Sequence, residues 1–377
     1  MKKGLFITAI LTVCCLLVKA YVAPMFIYQV EQETPCQRWV ENTLSHMTLE
    51  EKVGQLFIYT VDPVVNAPNE KKILSLIKNN HVGGLLFSGG QASDEAYLTN
   101  MAQYYSHIPL MITFDGEWGL SMRLKNLPKF PKNEALGCVR DDNLIYEYGQ
   151  EMARECHLMG VQVNFAPDAD VNRNPFNPVI NVRSFGEDPL SVSEKVVAYS
   201  QGLESKGVLS VAKHFPGHGD TGVDSHKALP ILNFTRERLD SVELYPFRNY
   251  SRAGFGAIMV GHLEVPALEQ KDLIASSLSH DIVYDLLTDE MNFGGLIFTD
   301  ALAMKSVSSD PHVCLRAFQA GDDMVLSPAD ITSEIADAVQ AVYTGGITYE
   351  EIDAKCRKVL TYKYAMGLYN HPYINTA

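Results

Sequence analysis

The densest group of reactive side chains in this sequence lies between Lys213 and His226. This segment reads Lys-His-Phe-Pro-Gly-His-Gly-Asp-Thr and then Gly-Val-Asp-Ser-His. Its proline and glycines exclude a helix and predict a long loop that leaves a strand. Three histidines, two aspartates and a lysine in fourteen residues are too polar for a core loop. The segment is therefore a candidate reaction site, and a solvated surface loop is the alternative.

Two aspartates and a histidine offer acid/base chemistry. Asp224 and His226 are two residues apart in an irregular loop, so the carboxylate can contact one imidazole nitrogen. Such a carboxylate fixes the tautomer and raises the basicity of the other nitrogen, which gives a proton donor and acceptor near neutral pH. Asp300 ends the apolar run 295–299. We expect its carboxylate to project from a strand end toward a pocket or toward cations.

A zinc site is the weaker interpretation of the same histidines. His214 and His218 have the i, i+4 spacing of a zinc-binding helix, but Pro216 and Gly217 between them prevent that helix. We therefore predict no metal and no cofactor. A zinc hydrolase that uses both residues together with His226 stays an alternative that a chelator would test.

The elements that must position these residues repeat along the chain. Helical periodicity marks 41–56, where Thr48 and Glu51 resemble a capping box, and also 144–159, 192–206, 278–287 and 333–343. Short apolar runs bounded by Gly, Pro or Asp alternate with such stretches, at 55–60, 84–88, 110–115, 161–167, 208–214, 256–262, 295–300 and 323–326. Eight runs of this kind predict a parallel α/β architecture, and their number favours a closed barrel. We expect one (β/α)₈ barrel domain over residues 33–369.

Polar residues collect where these apolar runs end. In a barrel the carboxyl ends of the strands form one rim, and that rim carries the catalytic residues. Helix capping is the alternative, but it accounts for single aspartates and not for a Lys-His pair. The rim residues are Asp115, Asp168, Asp170, Lys213, His214, His262 and Asp300.

Composition restricts the partners of the protein. The chain has 377 residues, of which 46% are apolar and 20% charged, and its formal net charge is −14. This negative charge disfavours nucleic acid and anionic lipid as partners. The oligomeric state does not follow from the sequence.

The N-terminal twenty residues predict export. Two lysines precede the apolar stretch Leu5–Val18, and the small residue Ala20 follows it. This pattern predicts a signal peptide over residues 1–20 and a periplasmic or extracellular protein. The alternatives are an uncleaved membrane anchor and a lipid attached at Cys14 or Cys15, which would give an outer-surface lipoprotein. The five later cysteines are scattered and odd in number, so no disulfide framework is expected, although one disulfide is compatible with the spacing.

The motifs, taken in order, resemble glycoside hydrolase family 3 and, within it, the single-domain β-N-acetylglucosaminidases. The resemblance covers nearly the whole chain after the signal segment. Its motifs lie at 47–56, at 115–117 with Arg123, and at 164–167, 181–186, 213–221, 224–226, 295–304 and 320–323.

This resemblance implies a retaining exo-β-N-acetylhexosaminidase that removes non-reducing terminal N-acetylglucosamine from glycans or cell-wall fragments such as muropeptides. It implies that Asp300 is the nucleophile, His226 the acid/base and Asp224 its orienting partner. A histidine here replaces one of the two carboxylates that glycosidases usually employ. The residues that would hold the sugar hydroxyls are Asp115, Arg123, Arg183, Lys213 and His214.

Other activities stay open at this stage. A β-glucosidase-like exo-glycosidase and an N-acetylglucosaminide phosphorylase would use the same residues, and the Asp-Ser-His element favours the acetamido sugar over glucose. A non-catalytic glycan-binding module would usually have lost Asp300 or His226, and both are present. Trp118 replaces a glycine of the family pattern, where it would either stack on a sugar or fill core space.

Overall fold

Eight parallel strands form a closed barrel in the computed structural model, which describes residues 34–222, 224–225, 228–269, 274–370 and 373–375. The strands in chain order are β1 (Phe57–Val61), β2 (Gly84–Phe87), β3 (Gly90–Gln91), β4 (Met111–Phe114), β5 (Leu124–Lys125), β6 (Val163–Asn164), β7 (Leu209–Phe215), β8 (Ala257–Val260), β9 (Leu296–Ala301) and β10 (Met324–Leu326). Among the strands of the described residues, β3 and β5 lie outside the barrel, where they pair with each other.

The barrel follows the order of the chain. Its spatial order is β1-β10-β9-β8-β7-β6-β4-β2, and the pairing of β1 with β10 closes it. Each of the eight predicted apolar runs contains, or overlaps, one barrel strand, so the predicted (β/α)₈ barrel is confirmed. The strands are almost fully buried, as expected for a parallel sheet that is covered on both faces.

Helices cover the outside of the barrel. The α-helices of the described residues are α1 (Pro35–Ser45), α2 (Leu49–Gly54), α3 (Ala67–Lys78), α4 (Ala92–Tyr105), α5 (Asn133–Gly137), α6 (Asp142–Leu158), α7 (Pro189–Glu204), α8 (Arg236–Ser241), α9 (Tyr245–Ala253), α10 (Val313–Ala320), α11 (Ile331–Thr344) and α12 (Tyr349–Ala365), and Asp281–Glu290 is wound as a π-helix. Trp39 of α1 contacts Tyr364 of α12, with 5.8 Å between ring centroids, so the two ends of the described chain pack together.

The prediction of one helix over residues 41–56 is wrong, because the structure has two helices there, α1 and α2. The division follows from the capping box itself. Thr48 is extended, its hydroxyl accepts from the backbone of Glu51, and the Glu51 carboxylate accepts from the backbone of Thr48. A residue in this role satisfies the free N–H groups of a helix start and cannot lie inside a helix.

The predicted signal peptide, residues 1–20, lies outside the described residues. Within the described ranges, no helix is long and apolar enough to span a bilayer. The five cysteines in those ranges are all free thiols.

Two glycines allow helices α6 and α7 to touch. A Cβ atom built on Gly202 would lie 2.2 Å from the carbonyl oxygen of Tyr146 and 2.8 Å from the Cα atom of Gly149. Only a residue without a side chain fits at this distance. Helix α7 also packs against β7, which carries Lys213 and His214.

We predict that Gly202→Ala lowers the free energy of unfolding by about 1–3 kcal/mol, because the new methyl group forces the two helices apart. Urea unfolding followed by circular dichroism measures this. Gly294→Ala is the control, since a Cβ there meets nothing within 4 Å. Equal stability of the two variants would contradict the close packing.

A buried glutamate lies beneath the barrel. Glu204 Oε1 accepts hydrogen bonds from the Gly256 amide at 3.0 Å and from the Ser210 hydroxyl at 2.7 Å. Burial raises the pKa of Glu204 from 4.5 to about 7. The folded protein therefore holds a proton on Glu204 at pH values where the unfolded chain has lost it.

This difference predicts a pH-dependent stability. The folded state binds the extra proton. The contribution of Glu204 to the free energy of unfolding therefore falls as the pH rises from 4.5 to about 7, and it stays constant at higher pH. Glu204→Gln removes the titration and keeps an oxygen acceptor. We expect its free energy of unfolding, relative to the wild type, to rise across this window by up to about 3 kcal/mol.

The measurement is urea unfolding at a series of pH values, with Glu147→Gln on the surface as control. If the free energies of unfolding of the wild type and Glu204→Gln differed by the same amount at every pH, Glu204 would not titrate in this range.

Candidate active site

A cleft of about 330 Å³ opens at the carboxyl ends of the barrel strands. Its lining includes apolar side chains, three of which are methionines, at Met122, Met259 and Met304. Six residues predicted from the sequence also line it, namely Asp115, Arg123, Arg183, Lys213, His214 and Asp300. They come from β-strand ends and loops spread over 186 positions of the chain, and the barrel brings them together.

Asp300 lies near the end of β9, and one of its oxygens accepts from the Ala301 amide at 2.7 Å. His262 follows β8 and donates from Nε2 to the Ala301 carbonyl at 3.1 Å. Burial acts to raise the pKa of Asp300, but His262, the hydrogen bond from the Ala301 amide and the charge of Lys213 outweigh it and lower the pKa below the usual value. Asp300 is therefore an ionised carboxylate facing the cleft.

Asp115 is shared by two cations. Its carboxylate oxygens contact Lys213 Nζ at 2.9 Å and Arg123 Nη2 at 3.0 Å. Burial acts to raise the pKa of Asp115, and the charges of Lys213 and Arg123 lower it below its ordinary value. The carboxylate thus stays ionised, and its side chain is 22% exposed toward the cleft.

Glu117 lies below Asp115 and has no exposed surface. Arg183 contacts it through Nε and Nη2, the shorter distance being 2.8 Å, and Lys213 Nζ lies 3.0 Å away. Both cations hold the pKa of Glu117 far below its usual value, against the opposing effect of burial. Glu117 therefore forms ion pairs with two of the predicted substrate-binding cations from a buried position.

The imidazole of His214 is held on both sides. Asp170 Oδ2 contacts Nδ1 at 2.7 Å, and Arg183 Nη2 contacts Nε2 at 3.2 Å. Because a guanidinium can only donate, Nε2 accepts and Nδ1 donates to Asp170. The other oxygen of Asp170 accepts from the His218 amide, so this carboxylate also fixes the loop that follows β7.

That loop carries the predicted acid/base. His218 contacts the Thr221 hydroxyl through Nδ1 at 2.7 Å and the Ser225 hydroxyl through Nε2 at 3.2 Å. Burial lowers the pKa of His218 to about 4, so it is a neutral anchor. Ser225 lines the cleft, and its neighbour Asp224 is partly exposed. His226 lies outside the described residues.

Three residues with supporting contacts were not among the predicted catalytic or substrate-binding residues, namely Glu117, Asp170 and His218. Asp170 was expected only as a rim residue, and Glu117 and His218 lie within motifs of the family resemblance, but no sequence pattern shows which member of such a group faces the ligand and which supports it. An acidic residue two positions after another at a strand end, as in Asp115-Gly116-Glu117, is the signal that was available.

Most of the ligand atoms that a metal would need already have hydrogen-bond partners, although Asp168 Oδ2 has none among the described residues. Asp168, Asp170 and His214 lie close enough to share an ion. However, Arg183 occupies the space beside them, 3.2 Å from His214 Nε2 and 3.7 Å from Asp168. Both nitrogens of His218 are bonded as well. The donor set therefore suits ion pairs rather than the zinc site considered from the sequence.

Comparison with known proteins identifies the family of this chain. Residues 48–362 match the model of the glycosyl hydrolase family 3 N terminal domain. Beta-hexosaminidase A of Pseudoalteromonas piscicida is 31% identical over 327 residues, which cover 78% of this chain and 55% of that protein. A beta-N-acetylglucosaminidase/beta-glucosidase of Cellulomonas fimi is 28% identical over 345 residues, covering 88% of this chain and 60% of that protein.

Among solved structures, a glycoside hydrolase family 3 beta-N-acetylglucosaminidase from Paenibacillus sp. str. FPU-7 is similar, with a TM-score of 0.82 and 33% identity. The match covers 88% of this chain and 65% of that one. This chain thus spans 55–65% of the length of these three relatives.

We predict that Glu117→Gln destabilises the protein by about 3 kcal/mol or more, because it leaves Arg183 and Lys213 buried without their shared anion. Urea unfolding of the purified variant measures this. Glu151→Gln, which breaks the exposed contact with Arg154, is the control and should change stability little. An unchanged stability of Glu117→Gln would show that Asp115 and Asp168 suffice for both cations.

Proposed function

This chain belongs to glycosyl hydrolase family 3, and on that basis we propose that it is an exo-acting β-N-acetylhexosaminidase that retains the anomeric configuration. One observation carries the proposal. Asp300 and Ser225 line the same small cleft, and Ser225 lies between Asp224 and His226 in the chain. The proposed nucleophile and the chain neighbour of the proposed acid/base therefore line one cleft. The hexosaminidase names of the relatives support the choice of sugar.

The first step is displacement by Asp300. Its carboxylate attacks the anomeric carbon, and the bond from that carbon to the aglycone oxygen breaks. His226, oriented by Asp224, gives its proton to the departing oxygen. The hydrogen bond from the Ala301 amide and the charge of Lys213 help to keep Asp300 ionised for this attack.

The second step restores the enzyme. His226, now neutral, takes a proton from water, and the resulting hydroxide attacks the anomeric carbon of the glycosyl-enzyme. The bond between that carbon and Asp300 breaks, and the carboxylate is free again. Two inversions at one carbon leave the configuration unchanged, which is why the product keeps the β form.

The cleft would hold one terminal sugar. Its volume of about 330 Å³ lies at the lower end of the range for small-molecule sites. Asp115 supplies acceptors for sugar hydroxyls, while Arg123 and Lys213 supply donors. The contacts with Glu117 and Asp170 fix the positions of Lys213, Arg183 and His214 before the sugar arrives.

The substrate class is part of the proposal. We propose that the enzyme removes non-reducing terminal N-acetylglucosamine from glycans or cell-wall fragments outside the cytoplasm, after export by the N-terminal segment. β-Glucosidase activity is the second candidate, because the Cellulomonas fimi relative is named for both activities.

Initial rates on aryl β-N-acetylglucosaminide and aryl β-glucoside distinguish the two candidates. We expect the acetamido glycoside to be cleaved faster and proton NMR to show the β-anomer as the first product. Faster cleavage of the glucoside would overturn the substrate assignment. Release of sugar 1-phosphate in phosphate buffer, and of none in sulfate buffer, would indicate a phosphorylase.

We predict that Asp300→Asn lowers kcat by at least about 10³-fold, because the amide cannot form the glycosyl-enzyme. Asp289→Asn on the surface is the matched control and should keep wild-type activity. Full activity of Asp300→Asn would remove it from the mechanism.

The acid/base role has its own signature. We predict that Asp224→Ala lowers kcat/KM by about 10²–10⁴-fold on a poor leaving group such as methanol, and much less on dinitrophenol, which leaves without protonation. The same loss on both substrates would contradict proton donation through Asp224 and His226.

A further inference from the structure

An aromatic ring projects from the loop that follows β6. Phe176 is 87% exposed, more than any other large apolar side chain among the described residues. A single exposed apolar residue is common on protein surfaces. What distinguishes Phe176 is how firmly its backbone is held and where that backbone lies.

Two asparagines fix the loop on either side of the ring. Asn174 accepts from the Phe176 amide at 3.0 Å and donates to the Thr221 carbonyl at 3.0 Å. Asn177 is buried and donates to the His218 carbonyl at 2.8 Å. Phe176 is thus tied to the loop that carries the proposed acid/base.

Prolines on both sides restrict the backbone further. Pro175 directly precedes Phe176, Pro178 follows it two residues later, and each proline fixes its own φ angle. The ring is presented on a backbone with little freedom left to lose, so a contact with a ligand there has a low entropic cost.

The position of this loop relates Phe176 to the leaving group. Val179, three residues along the chain, lines the cleft, and so do His218 and Ser225 of the loop to which it is tied. The acid/base must contact the aglycone oxygen to protonate it. Phe176 therefore lies on a loop that is hydrogen-bonded to the loop of the proposed acid/base.

We propose that Phe176 is one wall of the aglycone subsite, where its ring packs against the face of the second sugar or of an aromatic aglycone. The proposal rests on the proposed function. Trp118, the stacking residue considered from the sequence, is a poorer candidate, because it is only partly exposed and Lys132 Nζ lies over its ring at 5.5 Å.

The test compares two substrates that differ only in the aglycone. The β-1,4-linked disaccharide of N-acetylglucosamine fills the subsite, whereas methyl β-N-acetylglucosaminide leaves it empty. We expect Phe176→Ala to lower kcat/KM for the disaccharide by about 3- to 10-fold, the size of one aromatic contact, and to leave the methyl glycoside unchanged. Phe176→Trp should retain activity on both.

Tyr104→Ala is the matched control, since Tyr104 is 70% exposed on α4 and should affect neither substrate. Equal loss on both substrates would show a structural role for Phe176, and no loss on either would show no contact. Both outcomes overturn the proposal.

A binding measurement tests the contact between Phe176 and the disaccharide without catalytic turnover. In the Asp300→Asn background, Phe176→Trp should change its fluorescence when the disaccharide is added, and Tyr104→Trp should not. An unchanged signal at saturating disaccharide would overturn the proposal. If the wild type cleaves only glucosides, the proposed function fails, and cellobiose with methyl β-glucoside then tests Phe176 in the same way.

Discussion

The site is organised around a carboxylate that no ligand could reach. Glu117 is fully buried, and it holds Arg183 and Lys213 together at the mouth of the barrel. Two cations so close repel each other and are costly to bury, and the shared anion offsets both effects. Without Glu117 the cations would have no common position, and the donors that face the cleft would lose their alignment.

The loops at the rim depend on the same cluster. Arg183 contacts His214, His214 contacts Asp170, and Asp170 accepts from the backbone of His218. Gly219 then packs so closely that a Cβ atom there would lie 2.0 Å from the Val171 carbonyl oxygen. The contacts of Asp170 and the close packing of Gly219 against Val171 together fix the start of the loop that contains Asp224. The geometry is thus largely set before a ligand binds, which is what rapid chemistry at a fixed centre needs.

The charge distribution is consistent with a neutral ligand. The chain carries a formal net charge of −14, yet its cleft concentrates lysine and arginine side chains. Asp115 and Glu117 form ion pairs with these cations, so the cleft offers directional hydrogen bonds rather than a strong positive potential. Hydroxyl groups suit such a surface, because each can donate to a carboxylate and accept from a cation.

Much of this protein is determined by local sequence. Alternation of apolar runs with helical stretches specified the barrel, since each strand and helix has its own hydrophobic period. The rim followed from the position of polar residues at strand ends, as for Asp115, Lys213 and Asp300. Periodicity does not show where a helix stops, so the break between α1 and α2 appeared only in the structure.

The tertiary structure was also needed to show which residues face the ligand and which support them. Glu117 and Asp170 are buried and hold the cleft residues in position, whereas Phe176 is exposed, because contacts between loops far apart in the chain decide which side chains are buried and which face the cleft or the solvent.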